Sequence, residues 1–290
     1  MKSYRARKAM NHLWTAICAA AVVLALAPLA SLLWLVVSNG APGLSTSFFL
    51  ERPTPVGEAG GGVGNAIVGT FLMVGMASLI AVPVGVGTGV FLAEKGDGRF
   101  GSGVRFVTEV LSGVPSIVVG IVAYGLLVVP MKRFSAFAGA AALALLMVPP
   151  LARAAEEFVR LVPGTLREAS LALGVAQWRT SLRVVLRTAL PGILTAILLA
   201  VARAAGETAP LLFTALNHQF WELKADAPLT SLWSSLNSPM ASLPVVIFQF
   251  ALSPYKEWQQ LAWTGALIIT FTVLALSIGA RALSASSKQS

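Results

Sequence analysis

An arginine and a glutamate four residues apart break a long apolar run, Ala200-Val201-Ala202-Arg203-Ala204-Ala205-Gly206-Glu207-Thr208-Ala209-Pro210. The flanks Leu194–Ala202 and Leu211–Ala215 are almost wholly apolar, so the stretch reads as a membrane-spanning helix with an ion pair inside it. Positions i and i+4 share one helix face, which lets the two charges meet. A guanidinium at the bilayer centre costs about 2.5–3.5 kcal/mol on insertion scales, so such groups turn toward a bundle interior or a wet route. Its planar fork matches two oxygens of an oxyanion, whereas a permanent tight site would defeat release. Arg203 then lines a route for an anion, and Glu207 neutralises it when no anion is present. A self-neutralised pair that only pins two helices together is the competing reading.

Other chemistry is poorly supplied. Cys18 is the only cysteine, there are two histidines, and no H-E-x-x-H occurs, which leaves no zinc or metalloprotease site. The cluster Gly60-Gly61-Gly62-Val63-Gly64 before Asn65 fits neither the dinucleotide spacing nor the nucleotide P-loop, and reads as a turn leading into a helix. No P-loop occurs elsewhere, so ATP hydrolysis is not expected of this chain, and no bound cofactor is expected either.

The elements that must position the pair are membrane helices. Only 11% of the 290 residues are charged, against about 25% in a soluble domain, so the chain is expected to be an integral membrane protein. Six stretches are long and apolar enough to cross a bilayer, which takes about 20 residues. They are Leu13–Val37, Ala66–Ala93, Val107–Pro130, Ala136–Ala155, Leu190–Ala215 and Leu261–Ala280. The first resembles a signal peptide, but its apolar stretch exceeds the ~7–15 residues of that class, so it reads as a retained anchor. Pro149-Pro150 interrupts the fourth. Pro115, within Ser112-Gly113-Val114-Pro115-Ser116, is expected to break the third and give the route a second wall, or to be an ordinary kink.

With the N-terminus inside, fifteen of the 21 Lys and Arg fall on the cytoplasmic side, including Lys2 and Lys288; five, including Lys224, fall outside, and Arg203 lies between. The positive-inside rule therefore gives an N-in, C-in topology, and the net charge of +9 is largely that signal rather than a nucleic-acid surface. The division is a cytoplasmic N-terminus over residues 1–12, one transmembrane domain over 13–280, and a cytoplasmic tail over 281–290. Within the domain lie a cytoplasmic loop, 153–188, and a periplasmic loop, 216–260.

The outer loop carries Trp221, Trp233 and Trp258 and an apolar piece, Leu243–Leu252, too short to span, which reads as re-entrant or interfacial. The inner loop contains Pro163-Gly164-Thr165-Leu166-Arg167-Glu168-Ala169-Ser170, closed by Gly174. Thr165 three residues before Glu168 predicts a capping box that starts a short helix, and Gly174 is placed to end it. Such a projecting helix is shaped to be held by another protein, or is an ordinary surface hairpin.

Glu168-Ala169-Ser170, Gly174, Val184 and Leu186 resemble the EAA signature of importer-type ABC permeases, with Ser170 in place of the second Ala and Arg187 in place of the motif proline. Three further segments, Gly64–Thr70, Leu111–Val118 and Arg203–Pro210, are similar to the A-type permeases of phosphate-specific (Pst) ABC importers. The resemblance implies an all-α fold of six transmembrane helices, the type I ABC importer permease fold, in the bacterial cytoplasmic membrane. It implies a C-type permease partner forming a heterodimer, homodimeric ATPase subunits that hold ATP and Mg, a periplasmic phosphate-binding protein, and inorganic phosphate as cargo. By the same resemblance Glu168, Ala169, Ser170 and Gly174 couple to the ATPase. Arg203 and Glu207 match charged positions of the family's translocation route, and Thr208, Ser112, Pro115 and Ser116 are candidates beside them. A permease for sulfate or molybdate, an ATP-independent channel or carrier, and a membrane signalling scaffold are the alternatives.

Overall fold

A computed structural model describes residues 4–58, 60–221 and 229–286 of the chain; Lys2, Lys224 and Lys288 lie outside the described residues. The described residues form helices joined by short turns, with one isolated bridge between Pro53 and Gly61. In chain order the principal helices are α1 (Tyr4–Gly40), α2 (Gly64–Lys95), α3 (Arg99–Gly113), α4 (Ser116–Met131) and α5 (Ala136–Arg160). They continue as α6 (Gly164–Ala172), α7 (Gln177–Ala205), α8 (Ala209–Thr214), α9 (Leu243–Ala251) and α10 (Lys256–Ser286). Five of these are long and apolar enough to span a membrane, and the bent pair α3–α4 makes up to six.

The centre of the fold is the packing of α2 against α5, built from small residues. A Cβ added at Gly89 would stand 2.4 Å from the Ala152 carbonyl oxygen, and one at Gly85 would stand 2.7 Å from the Leu151 side chain. Lipid tails are as apolar as leucine, so helices in a membrane associate through close backbone approach of this kind rather than by escaping water. Met73, Leu143, Met147 and Leu151 fill the space between them, and Ala196, Ala200 and Ala204 bring α7 onto the same core. At the far side α1 lies along α10: Thr264 and Gln260 donate to the Gly40 and Asn39 carbonyls at 3.0 and 2.8 Å.

Proline acts differently in the third and fourth spans. Val114 and Pro115 are extended, with ψ near 131° and 137°, and α4 leaves α3 at 105°. The residue before a proline is pushed out of the helical region, as Val114 is here. Pro149 and Pro150, by contrast, sit inside an unbroken α5. There α2 comes close, a Cβ added at Gly85 standing 3.2 Å from the Val148 carbonyl oxygen, and prolines are tolerated in membrane helices where neighbouring helices pack against them.

The fifth span starts earlier than the apolar run suggested, at Gln177, and ends at Ala205, short of the expected Ala215. The predicted capping box is absent. α6 begins at Gly164 with Pro163 in the N-cap position and no side-chain cap, so Thr165 is already inside the first turn, where its hydroxyl cannot cap. The preorganised backbone of Pro163 supersedes it. The short apolar piece after the fifth span is α9, a nine-residue helix laid against α10. Its Phe250 stacks on Trp258 at 4.7 Å. Gly62 and Gly64 of the glycine cluster pack against the backbone of Ser47–Leu50, as a turn entering α2.

Candidate functional site

Gly206 and Pro210 break the fifth span. The Gly206 N–H closes α7 with a hydrogen bond to the Arg203 carbonyl at 3.0 Å, and the Glu207 backbone N–H donates to the Ala204 carbonyl at 3.2 Å. Pro210 lacks the N–H that would have continued the ladder, so a new short helix, α8, begins at Ala209. Arg203 is thus in the last turn of α7 and Glu207 in the turn that follows, each placed favourably for the adjoining helix dipole.

The pair forms, loosely. Arg203 Nε stands 3.6 Å from Glu207 Oε1, too long for a hydrogen bond, with side-chain exposures of 63% and 16%. Ala200, Ala202 and Ala204 are buried, whereas Arg203 among them is exposed. Glu207 is the one ionic partner of Arg203 among the described residues, and it engages Nε rather than the terminal nitrogens of the fork. An exposed cation on an apolar helix cannot rest against hydrocarbon, so this face belongs to a polar route or to a partner chain.

The second candidate wall meets the first through helix packing. α4 and α8 approach at Gly120, where an added Cβ would lie 2.8 Å from Pro210 Cα. Gly120 is the fifth residue of α4 and Pro210 the second of α8, so each break lies within about a turn of that contact. Ser116 opens α4 and Thr208 precedes α8; both are half-buried. Pro115 is exposed at the bend, and Ser112 is exposed with its hydroxyl donating to the Thr108 carbonyl at 2.8 Å. Among the described residues no side-chain hydrogen bond or ion pair joins Ser112 or Ser116 to Arg203 or Glu207. The breaks are neighbours through backbone packing.

At the basic end, α6 divides its residues between two faces. Ser170 is buried and shares a hydrogen bond of 2.9 Å with Thr180, so it fastens α6 to α7. Glu168 and Ala169 point outward, with Leu166 and Leu171 exposed beside them and Leu173, just past the helix, 84% exposed. Gly174 has φ +76°, its N–H bonds the Leu171 carbonyl at 2.9 Å, and the Val175 N–H bonds the Ser170 carbonyl at 3.3 Å. That pair of bonds is the Schellman termination, which requires the left-handed glycine.

Two charge clusters at this end escaped the sequence reading. Arg105 donates to Glu156 at 2.7 Å and to the Gly96 and Leu92 carbonyls, and Glu156 also holds Arg160 at 2.8 Å. Arg167 lies 3.1 Å from Glu94. The available signal was acidic residues in the last turns of α2 and α5, where the helix dipole disfavours them unless a cation is supplied.

Residues 85–288 match the family described as "Binding-protein-dependent transport system inner membrane component". The phosphate transport system permease protein PstA of Yersinia pestis is 46% identical over 276 residues, covering 92% of this chain and 90% of its own length. PstA of Haemophilus influenzae is 44% identical, covering 95% of this chain and 94% of its own length. PstA 1 of Mycobacterium tuberculosis is 38% identical, covering 94% and 87%. Among solved structures, an inward-facing MetNI methionine ABC transporter superposes with a TM-score of 0.57 at 17% identity, covering 76% of this chain and 94% of the other, a likeness of fold. The helices, the fold and these relatives place the chain as a multi-pass protein of the bacterial inner membrane with the type I ABC importer permease fold. It belongs to the inner-membrane components of binding-protein-dependent transport systems and, among them, to the PstA phosphate transport permeases.

Proposed function

We propose that this chain forms, with a C-type permease, the route by which inorganic phosphate enters the cell, and that Arg203 is its anion contact in that route. The observation that carries the reading is the looseness of the Arg203–Glu207 pair on an otherwise apolar, exposed helix face. The guanidinium fork is available to two phosphate oxygens, and Glu207 keeps the site neutral between passages. Thr208, Ser112, Pro115 and Ser116 line the two breaks beside it. ATP and Mg are held by a homodimeric ATPase that grips the outward face of α6, at Glu168 and Ala169 with the surrounding leucines. Ser170 and Gly174 act on that surface indirectly, by holding the helix in place and ending it. A periplasmic phosphate-binding protein delivers the cargo. The chain itself binds no cofactor in this scheme.

The test is uptake into vesicles that contain both permeases, the ATPase and the binding protein. Arg203→Gln should abolish phosphate uptake with assembly intact, and Arg203→Lys should retain part of it, because the charge stays and the fork is lost. If the pair were purely structural, breaking it would show as poor assembly, repaired together with uptake in the double variant with Glu207→Gln. Normal uptake by that double variant would sink the proposal. Sulfate and molybdate as competitors read the choice of oxyanion: if either displaces phosphate on equal terms, the cargo assignment fails.

A further inference from the structure

α6 is tied to the membrane domain at three points, and the three ties are unlike one another. Ser170 and Thr180 share a directed hydrogen bond of 2.9 Å, which joins α6 to α7. Arg167 Nη2 donates to the Val159 carbonyl at 2.8 Å, which joins α6 to the end of α5. The same Nη2 lies 3.1 Å from Glu94 Oε1 on α2, but that oxygen accepts no hydrogen bond, and Arg167 Nε is buried without an acceptor. The third tie is therefore held by charge without directed bonding. It is also enclosed, with Glu94 12% and Arg167 28% exposed, so solvent screens it weakly.

Glu94 is fixed from its other side. Ser181 donates to Glu94 Oε2 at 2.8 Å, which aims the carboxylate at α6 from the first turns of α7. Lys95 is the adjacent residue and is exposed, so the charge facing Glu94 across the interface is Arg167. From Glu94 back to Gly64, near its other end, the 32-residue helix α2 rises about 45 Å at 1.5 Å per residue. At its outer end the buried Asn65 bonds the Gln219 carbonyl at 2.6 Å, and Thr70 accepts from the Leu243 N–H at 2.8 Å. α2 is thus one rod from the ATPase-facing end to the outer loops.

Resting on the permease function proposed above, we propose that the Glu94–Arg167 contact is the positioning link by which displacement of α6 is passed to α2, and through α2 to the outer end of the route. Arg167 has one directed bond in this arrangement and an unused Nε donor. A small rotation of α6 exchanges the Val159 carbonyl for a directed grip on Glu94, or the reverse. Glu94 and Arg167 are positioning residues; neither touches the cargo.

The experiment uses the complete transporter in vesicles and measures phosphate taken up per ATP hydrolysed, together with co-purification of all subunits. Glu94→Gln keeps the size of the side chain and an acceptor for Ser181 and removes only the charge. It should leave assembly unchanged and lower phosphate per ATP at least fivefold. Arg167→Gln should lower the same ratio, and the Glu94→Gln/Arg167→Gln double variant should be no worse than the poorer single, as expected when both remove one interaction. Glu94→Asp should regain at least half of the ratio. A ratio within twofold of wild type in Glu94→Gln overturns the link, as does multiplication of the two single losses in the double variant. Loss of subunits from the purified complex overturns it too, since the contact would then be structural. The wild-type complex reads the functional assignment separately: absence of ATP-driven phosphate uptake there refutes the function, whereas normal wild-type uptake with an unchanged ratio in Glu94→Gln refutes the link alone.

Discussion

Gly174 offers the sharpest test of the proposed ATPase-docking role of α6, because its cost can be worked from one angle. Its φ of +76° lies in the left-handed region, and a Cβ built there meets no atom within 4 Å. Steric crowding by neighbours therefore adds nothing, and the whole penalty is the backbone's own, about 1–2 kcal/mol for an L-residue. That corresponds to a factor of roughly 5–30 between the Schellman-terminated helix and alternatives in which its last turn unwinds. Gly174→Ala should bear the backbone cost, Gly174→Val more because a branched Cβ is a genuine outlier at positive φ, and Gly174→Asn little because Asn tolerates this region. The expected order of ATPase affinity, measured by titrating the ATPase onto the permease pair in nanodiscs, is Gly, Asn, Ala, Val. Weakening should reach about 5–30-fold for Ala, with phosphate uptake falling in parallel. Equal affinity in all four would refute the claim that this turn presents the docking surface. An Asn variant as poor as Val would refute the conformational explanation and leave some contact of the glycine itself as the cause.

Two further outcomes follow from the fold. In a background with Cys18 replaced, a cysteine at the exposed Leu173 should label only from the cytoplasm and one at Ser235 only from the periplasm; labelling of both from one side would overturn the orientation read from the positive charges. Ser170, the obvious site for such a probe by sequence, is buried and bonded to Thr180, so a cysteine there should label poorly. Gly89→Val should push the Ala152 backbone away from α2, costing about 1–3 kcal/mol of overpacking, and should lower the thermal midpoint of the purified permease pair, whereas Gly87→Val, with open space at its Cβ, should not.

The apolar runs made the helices and their number legible, since hydropathy alone marks a span. Where a helix stops was legible only when the stop is local. Pro115 broke its helix as its neighbours in sequence predict, and Gly174 ended α6 for the same kind of reason. Pro149-Pro150 did not break α5, which packs closely along α2, and no pattern along the chain states that contact. The ion pair at Arg203 and Glu207 was visible because its members are four apart. Arg105–Glu156 and Glu94–Arg167 join residues 51 and 73 positions apart, and pairs so distant leave only the oddity of an acid at a helix C-terminus. Thr165–Glu168 shows the converse error: a correct motif in the wrong frame, displaced because the helix starts two residues sooner, with Pro163 at the N-cap position.

The exposure of Arg203 has a consequence for the cell's production of this subunit. A copy without its partner has a guanidinium 63% open on a membrane helix, with a single carboxylate 3.6 Å away. In lipid such a copy must draw water and headgroups inward or bear about 2.5–3.5 kcal/mol, and association with a polar partner surface removes that burden. The same side chain that would greet an anion in the finished transporter therefore marks the orphan. If the partner is the second permease proposed above, copies made in excess of it would be the ones left carrying that burden.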